Sequence, residues 1–538
     1  MNLAAVLLAT AESDPDRPAL TGPEPVSYAQ LAARAAGVAS VVAERADPGD
    51  RVAIVAGNET AFVVAYLGTL LGGAVAVPLN VGSPSHELGR ELETVEPVLV
   101  LASTANADLA RRAVSPPGAR FEESSEESST RGIPVVVVDD GTPENSPGNS
   151  PAKVRAVPKD ASDLAVLLFT AGTAGAPKPA MLTHGALLAN LEQMQSHPGL
   201  RVDATDVVLG VLPLFHVYGL NVVIGLALRA GAAVALVDHF HPVETMARVR
   251  GDRVTVLAGV PAIYDAWAGL DEEAAPRDSF AAVRLCVSGA ATLHDGTRSA
   301  MHDRFGVTVH DGYGLTEASP VVTTTAVAAV PKPGSIGPPL PGIEVRLLDR
   351  EGNPALEDDP GQIVVRGANV FVGYWNDATA TAAVLVDGWL HTGDVAVADA
   401  DGWLTLVDRA KDVVIVSGFN VYPGEVEDAL RSHRDVEDVA VIGEPHPRTG
   451  ETVVAYVVAR PGSNPDPVEL LRHAGRQLAR YKLPTRVELV ESLPRTLAGK
   501  LVRRALSSSP SSSDAASSTA STASDAGRPA HDATTKPA

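Results

Sequence analysis

Hydrophobic and polar positions follow two alternating spacings along the first half of the chain, which predicts helices and buried strands in turn. Alanine and leucine recur at helical spacing over 28–42, and a turn at 47–50 leads into the short apolar run 51–56. Short apolar runs bounded by turn residues indicate strands buried on both faces. The stretch 61–79 has nearly the length of a membrane span but is interrupted at Gly72-Gly73, so a helix, a turn and a strand are expected.

The same pattern recurs, and this repetition predicts the architecture. The passage 222–237 repeats the helix, glycine turn and strand of 65–78, so two similar α/β layers are expected. From Gly334 onward, short strands separated by Gly, Pro and Asp turns predict a small antiparallel β unit. Beyond 411, strands and two helices alternate over about a hundred residues, a size typical of a separate domain.

We therefore predict an α/β protein of two domains and a tail. Residues 1–410 form a large N-terminal domain, in which an amphipathic helix comes first and 113–152 form irregular loops around one short strand. Residues 411–506 form a small, mobile α+β domain. Residues 507–538 are Ser, Thr, Ala and Pro with hardly an apolar anchor, which predicts disorder.

Composition narrows the classes of partner. The formal net charge is -22, from 65 acidic and 43 basic residues, which argues against non-specific binding of nucleic acid or anionic membrane. The single cysteine, Cys286, excludes an internal disulfide framework and fits a reducing cytoplasm. Its apolar neighbours predict an inert thiol in a buried strand. The N-terminus lacks the basic region of a signal peptide, and the oligomeric state stays open.

The loop 170–178 is the first candidate for chemistry. It joins an apolar run, predicted to be a strand, to a predicted helix at 187–195, and it contains Thr170, Gly172, Thr173, Gly175 and Lys178. Glycines let backbone N–H groups crowd an anion, and the hydroxyls and the lysine add donors, so the loop suits phosphate. The spacing is not that of a Walker A loop, and on these residues alone a flexible surface turn is an equal alternative.

A second candidate is the run 311–317, which contains Tyr313, Thr316 and Glu317 close together. An aromatic face can stack on a base, a threonine can donate to a phosphate oxygen, and a glutamate can hold Mg²⁺ against phosphates. The alternative for this run is a strand-end turn with Tyr313 in the core.

Taken together, the two runs resemble a known family. The loop 170–178 is similar to the Thr-Ser-Gly-Thr-Thr-Gly-x-Pro-Lys loop of the adenylate-forming superfamily, which includes acyl-CoA synthetases, peptide-synthetase adenylation domains and luciferases. Other segments match motifs of the same family in the family's order, namely 213–219, 288–290, 313–317, 388–394, 408–412, 417–423 and 494–500. The resemblance extends from the first helix to about residue 506.

The resemblance implies a nucleotide site. Thr170, Thr173 and Lys178 would hold the β- and γ-phosphates of ATP. In the family pattern, Tyr313 stacks on adenine, Thr316 contacts the α-phosphate and Glu317 binds Mg²⁺. Asp394 accepts hydrogen bonds from the ribose hydroxyls, with Arg409 beside it. Further nucleotide-binding positions implied are Gly172, Gly175, Ser288, Gly289, Ala290, Asp311, Gly312 and Gly314.

The resemblance also implies a catalytic lysine, a hinge and an acyl pocket. Lys500 would offset charge on the α-phosphate, with Thr316 and Glu317 as the other catalytic residues, and Lys411 would be the hinge between the domains. Coenzyme A would approach through Ser417, Gly418 and Phe419. The acyl pocket would be lined by His216, Val260, Gly289 and Gly314.

The activity implied is activation of a carboxylic acid, expected to be a medium- or long-chain fatty acid. The acid would form acyl-AMP with release of pyrophosphate, and the acyl group would pass to coenzyme A. Two alternatives are a ligase that loads a carrier protein and a catalytically impaired acyl or nucleotide sensor.

The chain departs from the family pattern at four positions. Ala171 and Ala174 remove hydroxyl donors and Pro179 removes an amide donor, so the grip on pyrophosphate is expected to weaken by about 1 kcal/mol per lost hydrogen bond. Gln362 stands where the family usually has glutamate.

Overall fold

The computed structural model of this chain describes residues 1–115, 132–139, 156–170, 177–349, 351–357, 359–409, 412, 414–416, 419–446, 448–478, 480–495 and 501–506. The chain divides into two compact units, with the main boundary between Val413 and Val414.

Two mostly parallel sheets form the body of the first unit, as the repeated α/β pattern predicts. The eight-stranded sheet contains, in spatial order, Val321–Thr324, Val309–Gly314, Leu285–Ser288, Val256–Gly259, Val207–Gly210, Ala233–Leu236, Pro18–Thr21 and Val26–Ser27. The six-stranded sheet contains Val135–Val138, Leu99–Ser103, Arg51–Val55, Val75–Pro78, Leu164–Thr170 and Lys178–Thr183. In the eight-stranded sheet the first pair and the last pair are antiparallel, and in the six-stranded sheet the last pair is.

Helices cover these sheets. The longest, Tyr28–Arg45, begins with a capping box in which Ser27 and Gln30 satisfy each other's backbone N–H groups. The other helices in this unit are Leu3–Leu7, Thr10–Ser13, Thr60–Leu71, Ser85–Val95, Ala107–Ala113, His184–Ser196, Leu226–Ala230, Pro242–Gly251, Pro261–Ala268, Asp295–Phe305 and Ala378–Val384, with a π-helix at Tyr218–Gly225 and 3₁₀ turns at Thr104–Asn106, Arg277–Phe280 and Thr316–Ala318.

A third sheet in the first unit is antiparallel, as the change of pattern after Gly334 predicts. Its strands, in spatial order, are Ser335–Gly337, Leu404–Arg409, Trp389–Ala398, Gly361–Gly367 and Ile343–Leu348, and Leu385–Val386 pairs with Trp389–Ala398.

The second unit is an α+β domain. Its sheet contains, in spatial order, Phe419–Val421, Val414–Val416, Gly450–Ala459 and Val436–His446, and Arg486–Leu489 pairs in parallel with Gly450–Ala459. Its helices are Pro423–Arg431, Pro467–Ala474 and Arg503–Leu506, with a 3₁₀ turn at Arg480–Lys482. The fold class predicted from the sequence is therefore confirmed.

Two local predictions are corrected. The single N-terminal helix is two short helices, Leu3–Leu7 and Thr10–Ser13. Immediately before the helix that begins at His184, the chain forms the strand Lys178–Thr183, where the sequence predicted a loop through Lys178 and no further strand. This strand is the last of its sheet. Proline has no backbone N–H to donate, and an edge strand tolerates Pro179 because it has a neighbouring strand on one side only.

Two other expectations concern burial and membrane spans. Cys286 is 1% exposed in the strand Leu285–Ser288, and burial raises the pKa of its thiol, so it is an inert core residue. The stretch 61–79 forms the helix Thr60–Leu71 and the strand Val75–Pro78. Across the described ranges, no helix has the length and apolar character needed to cross a membrane.

Candidate active site

The predicted nucleotide residues of the eight-stranded sheet lie at the ends of neighbouring strands. Ser288 ends the strand Leu285–Ser288 and is in register with Asp311 on the parallel strand Val309–Gly314. Because parallel strands end at the same edge of a sheet, the segments 288–290 and 311–314 are brought together. Ala290 follows with a φ of 69°, a left-handed conformation that is uncommon outside glycine and concentrated at functional sites.

The predicted adenine and ribose partners are in direct contact. The hydroxyl of Tyr313 donates to Oδ2 of Asp394 at 2.7 Å, and Tyr313 is 8% exposed. Asp394 lies on the strand Trp389–Ala398, in register with Arg409 on the antiparallel strand Leu404–Arg409. Three residues that are far apart in the sequence are thus brought to one place, which the sequence alone could not establish.

Thr170 and Lys178, two of the predicted phosphate-binding residues, lie on adjacent antiparallel strands of the six-stranded sheet. They are paired in register, and the Thr170 hydroxyl donates to the Lys178 carbonyl at 3.2 Å. The Lys178 ammonium donates to Oδ2 of Asp377 at 2.7 Å and lies 5.7 Å from the centre of the Tyr374 ring. The Tyr374 hydroxyl in turn donates to Oε1 of Glu317 at 2.7 Å.

Tyr374 therefore joins the two segments that the sequence singled out separately. Burial raises the pKa of its hydroxyl, and the neighbouring Glu317 carboxylate raises it further, so the hydroxyl stays protonated and keeps donating. The hydrogen bond from Lys178 lowers the pKa of Asp377, and so does the backbone N–H of Ala380, so that Asp377 is ionised at neutral pH.

Tyr374 and Asp377 were missed in the sequence analysis. The segment 373–377 reads Gly-Tyr-Trp-Asn-Asp, and its density of aromatic and polar residues was the available signal. Its partners Lys178 and Glu317 are 57 or more residues away, so the contacts depend on the tertiary fold.

Asp311 is held by an ion pair. One of its carboxylate oxygens lies 2.5 Å from Arg298, and both side chains are nearly buried. Burial raises the pKa of Asp311, and the Arg298 guanidinium opposes that rise. A buried, paired carboxylate of this kind supports the shape of the strand end more directly than it offers a ligand contact.

Two of the predicted acyl-pocket residues, Gly289 and His216, lie beside Tyr218. A Cβ atom on Gly289 would come within 3.1–3.2 Å of the Tyr218 ring and hydroxyl, so the missing side chain makes room for that ring. Nδ1 of His216 accepts from the backbone N–H of Tyr218 at 3.2 Å. Val260 caps the helix Pro261–Ala268, which follows the neighbouring strand Val256–Gly259.

Gln362, where the family usually has glutamate, also has a defined partner. Its Oε1 lies 3.0 Å from Nδ1 of His391, and the two residues are on neighbouring antiparallel strands. The amide therefore has a neighbour that can donate to it.

Several predicted site residues lie outside the described residues, namely Gly172, Thr173, Gly175, Lys411, Ser417, Gly418 and Lys500, together with the side chains of Arg409 and Phe419.

The described residues fit a nucleotide-bound Mg²⁺ better than a metal cage. In the part of the chain that the structure describes, no three His, Cys, Asp or Glu side chains are grouped to hold a metal ion. Mg²⁺ usually binds one or two carboxylates and completes its shell with water and phosphate oxygens. The Glu317 carboxylate, oriented by Tyr374, is a donor of the required kind.

Fold and site thus define a two-unit α/β protein with a candidate nucleotide site in its first unit. The family model described as AMP-binding enzyme matches residues 7–375, and the model described as AMP-binding enzyme C-terminal domain matches residues 425–500. The chain belongs to the AMP-binding enzyme family, as its motifs predicted.

The individual relatives indicate which kind of AMP-binding enzyme the chain resembles. The chain is 32% identical over 485 residues to a long-chain-fatty-acid–CoA ligase of Bacillus subtilis, covering 85% of each chain. It is 37% identical over 487 residues to a feruloyl-CoA synthase of an Amycolatopsis species, covering 89% of this chain and 92% of that one. ATP-bound MatB from Rhodopseudomonas palustris has a TM-score of 0.85 at 32% identity, over 94% and 98% of the two chains.

The chain is accordingly an acid–thiol ligase of the AMP-forming type, as predicted. Adenylate-forming CoA ligases use ATP and coenzyme A, with Mg²⁺ as the usual metal.

The position of Glu317 leads to a prediction about Mg²⁺. We expect Glu317→Gln to raise the Mg²⁺ concentration needed for half-maximal pyrophosphate release by about tenfold, because a neutral amide is a weaker ligand for a hard cation. The measurement is a Mg²⁺ titration at fixed ATP. Glu344→Gln removes a carboxylate that pairs with Arg366 on the antiparallel sheet, and it should leave the Mg²⁺ profile unchanged. An unaltered profile for Glu317→Gln would contradict the assignment of Glu317.

Proposed function

We propose that this chain activates a carboxylic acid with ATP to give acyl-AMP and pyrophosphate, and then transfers the acyl group to coenzyme A. The observation that carries the proposal is the convergence of Tyr313 on Asp394 and of Tyr374 on both Glu317 and Lys178. These contacts group the positions that the family pattern gives to base, ribose, metal and phosphates within the first unit.

The chemistry answers a problem of reactivity. A carboxylate is a poor electrophile because its charge repels nucleophiles and its oxide is a bad leaving group. Attack of the carboxylate on the α-phosphorus forms a P–O bond and breaks the bond to pyrophosphate, and the thiol then displaces AMP from the acyl carbon. Lys178 and Thr170 offset the charge of the leaving pyrophosphate, and Lys500 offsets charge on the α-phosphate.

The roles in the second half-reaction are also part of this proposal. Lys411 is the hinge on which the second unit turns between the two half-reactions. Coenzyme A approaches through the segment Ser417, Gly418 and Phe419, in which the glycine has no side chain to obstruct a thin pantetheine arm.

For the acid, we propose first a medium- or long-chain fatty acid. The likeness to a long-chain-fatty-acid–CoA ligase over 85% of both chains supports it. The pocket would be lined by His216, Val260, Gly289 and Gly314.

A hydroxylated aryl acid is the second candidate, and one structural observation favours it. Two buried hydroxyl oxygens, those of Tyr218 and Ser288, have no hydrogen-bond partner among the described residues, and both residues adjoin Gly289. Buried hydroxyls normally have partners, which an acid with its own hydroxyl group could supply and an alkyl chain could not. The likeness to a feruloyl-CoA synthase supports the same class.

One experiment tests the activity and separates the two acids. The purified chain is incubated with ATP, Mg²⁺ and coenzyme A, and pyrophosphate and thioester are measured with decanoate, palmitate, cinnamate and 4-hydroxycinnamate. The fatty-acid proposal expects turnover with the alkyl acids, and the aryl proposal expects 4-hydroxycinnamate to exceed cinnamate. Omission of coenzyme A should abolish the thioester only. Failure to release pyrophosphate with any carboxylate would overturn the function, and a carrier protein accepted in place of coenzyme A would change the acceptor.

A further inference from the structure

The two carboxylate oxygens of Asp377 accept hydrogen bonds from two different groups. Oδ2 accepts from the Lys178 ammonium at 2.7 Å, and Oδ1 accepts from the backbone N–H of Ala380 at 2.8 Å, which caps the helix Ala378–Val384. The cap needs only an oxygen acceptor, whereas the ion pair needs a negative charge. The two contributions can therefore be separated by substitution.

The ion pair lies where a phosphate could reach it. The Lys178 side chain is 40% exposed and that of Asp377 is 35% exposed. An anion that approaches Lys178 from solvent therefore meets the Asp377 carboxylate at the same ammonium group.

This arrangement creates a competition between anions. A lysine ammonium is a single positive charge with three donors, and one of them is bonded to Asp377. The carboxylate repels any polyphosphate that binds Lys178, so it weakens the binding both of the nucleotide and of released pyrophosphate. At the same time, Tyr374 contacts both Lys178 and Glu317, so the competition occurs beside the predicted Mg²⁺ ligand.

We propose that Asp377 is a positioning residue that competes with phosphate for Lys178, and that it thereby sets the affinity for ATP and eases the departure of pyrophosphate. This inference rests on the proposed function. It concerns the first half-reaction only, because the transfer from acyl-AMP to coenzyme A involves no pyrophosphate.

The test is the substitution Asp377→Asn, which keeps an oxygen for the helix cap and removes the charge. We expect the KM for ATP, and the inhibition constant of pyrophosphate, to fall roughly three- to tenfold at low ionic strength. The difference from wild type should shrink as KCl is raised, because exposed charges are screened by salt. Thioester formation from supplied acyl-AMP should be unchanged.

Two further variants secure the interpretation. Asp466→Asn makes the same change of charge at another helix N-cap, where the carboxylate accepts from the backbone N–H of Val468, and it should leave the KM for ATP unaltered. Asp377→Ser keeps a capping hydroxyl and should reproduce the Asn variant if the latter folds poorly. An active wild type whose Asp377 variants show an equal or higher KM for ATP would overturn this inference alone, whereas a wild type without ATP-dependent pyrophosphate release would overturn the proposed function.

Discussion

Lys500→Ala is expected to abolish adenylation while it leaves the second half-reaction largely intact. Negative charge builds on the phosphorus as the carboxylate attacks, and an ammonium aimed at that charge stabilises the transition state more than the bound substrates. Loss of one such donor typically costs on the order of a hundred- to a thousandfold in rate. In the second step the thiol attacks the acyl carbon of acyl-AMP and not the phosphorus. Lys500 has no assigned role at that carbon.

The measurement compares two rates in the same protein. Pyrophosphate release from acid and ATP reports the first step, and thioester formation from synthetic acyl-AMP and coenzyme A reports the second. Lys482→Ala is the control, since this lysine donates to Glu425 at 2.5 Å inside the second unit and has no assigned role in either step. We expect that variant to affect both rates alike. An equal loss of both rates in Lys500→Ala would remove the role proposed for Lys500.

The sequence was sufficient for many elements of the fold and insufficient for their order in space. Hydrophobic spacing located the strand at 51–56 and the antiparallel unit after Gly334, because burial imposes a regular period on each element. It could not show that Val256–Gly259 lies between Val207–Gly210 and Leu285–Ser288, because that order depends on how helices pack across the sheet. The strand Lys178–Thr183 was missed because Pro179 is typical of loops.

The site was predictable to the extent that single motifs carry chemistry. Tyr313 and Glu317 could be singled out because an aromatic ring and a carboxylate so close together suit a nucleotide. Asp394 could be singled out only through the family resemblance, and Tyr374 was missed, because both reach these residues through contacts between distant segments of the chain. Such a contact depends on the three-dimensional fold, and the spacing of residues along the sequence does not reveal it.

Gly314→Ala is the other change expected to have a large effect, because the structure leaves no room for a side chain there. An added Cβ would lie 2.1 Å from the carbonyl oxygen of Pro320 and 2.8 Å from its carbonyl carbon. That carbonyl also accepts from the backbone N–H of Leu315 at 3.1 Å, so the two backbone segments would have to separate. The antiparallel pairing of Val309–Gly314 with Val321–Thr324 would then be disturbed, and with it the turn that carries Glu317.

Gly312 provides the matched control two residues earlier on the same strand. A Cβ there would have its nearest neighbour, a methyl group of Val287, at 3.5 Å, an ordinary contact. We expect Gly314→Ala to lose about 1–3 kcal/mol of stability through overcrowding, seen as a thermal midpoint several degrees lower, together with at least a tenfold fall in pyrophosphate release. Gly312→Ala should melt at or slightly above the wild-type temperature, because alanine reduces the entropy of the unfolded chain. Equal midpoints for the two variants would show that the strand end yields to a side chain at 314, and the close approach of Pro320 would then not be what requires glycine there.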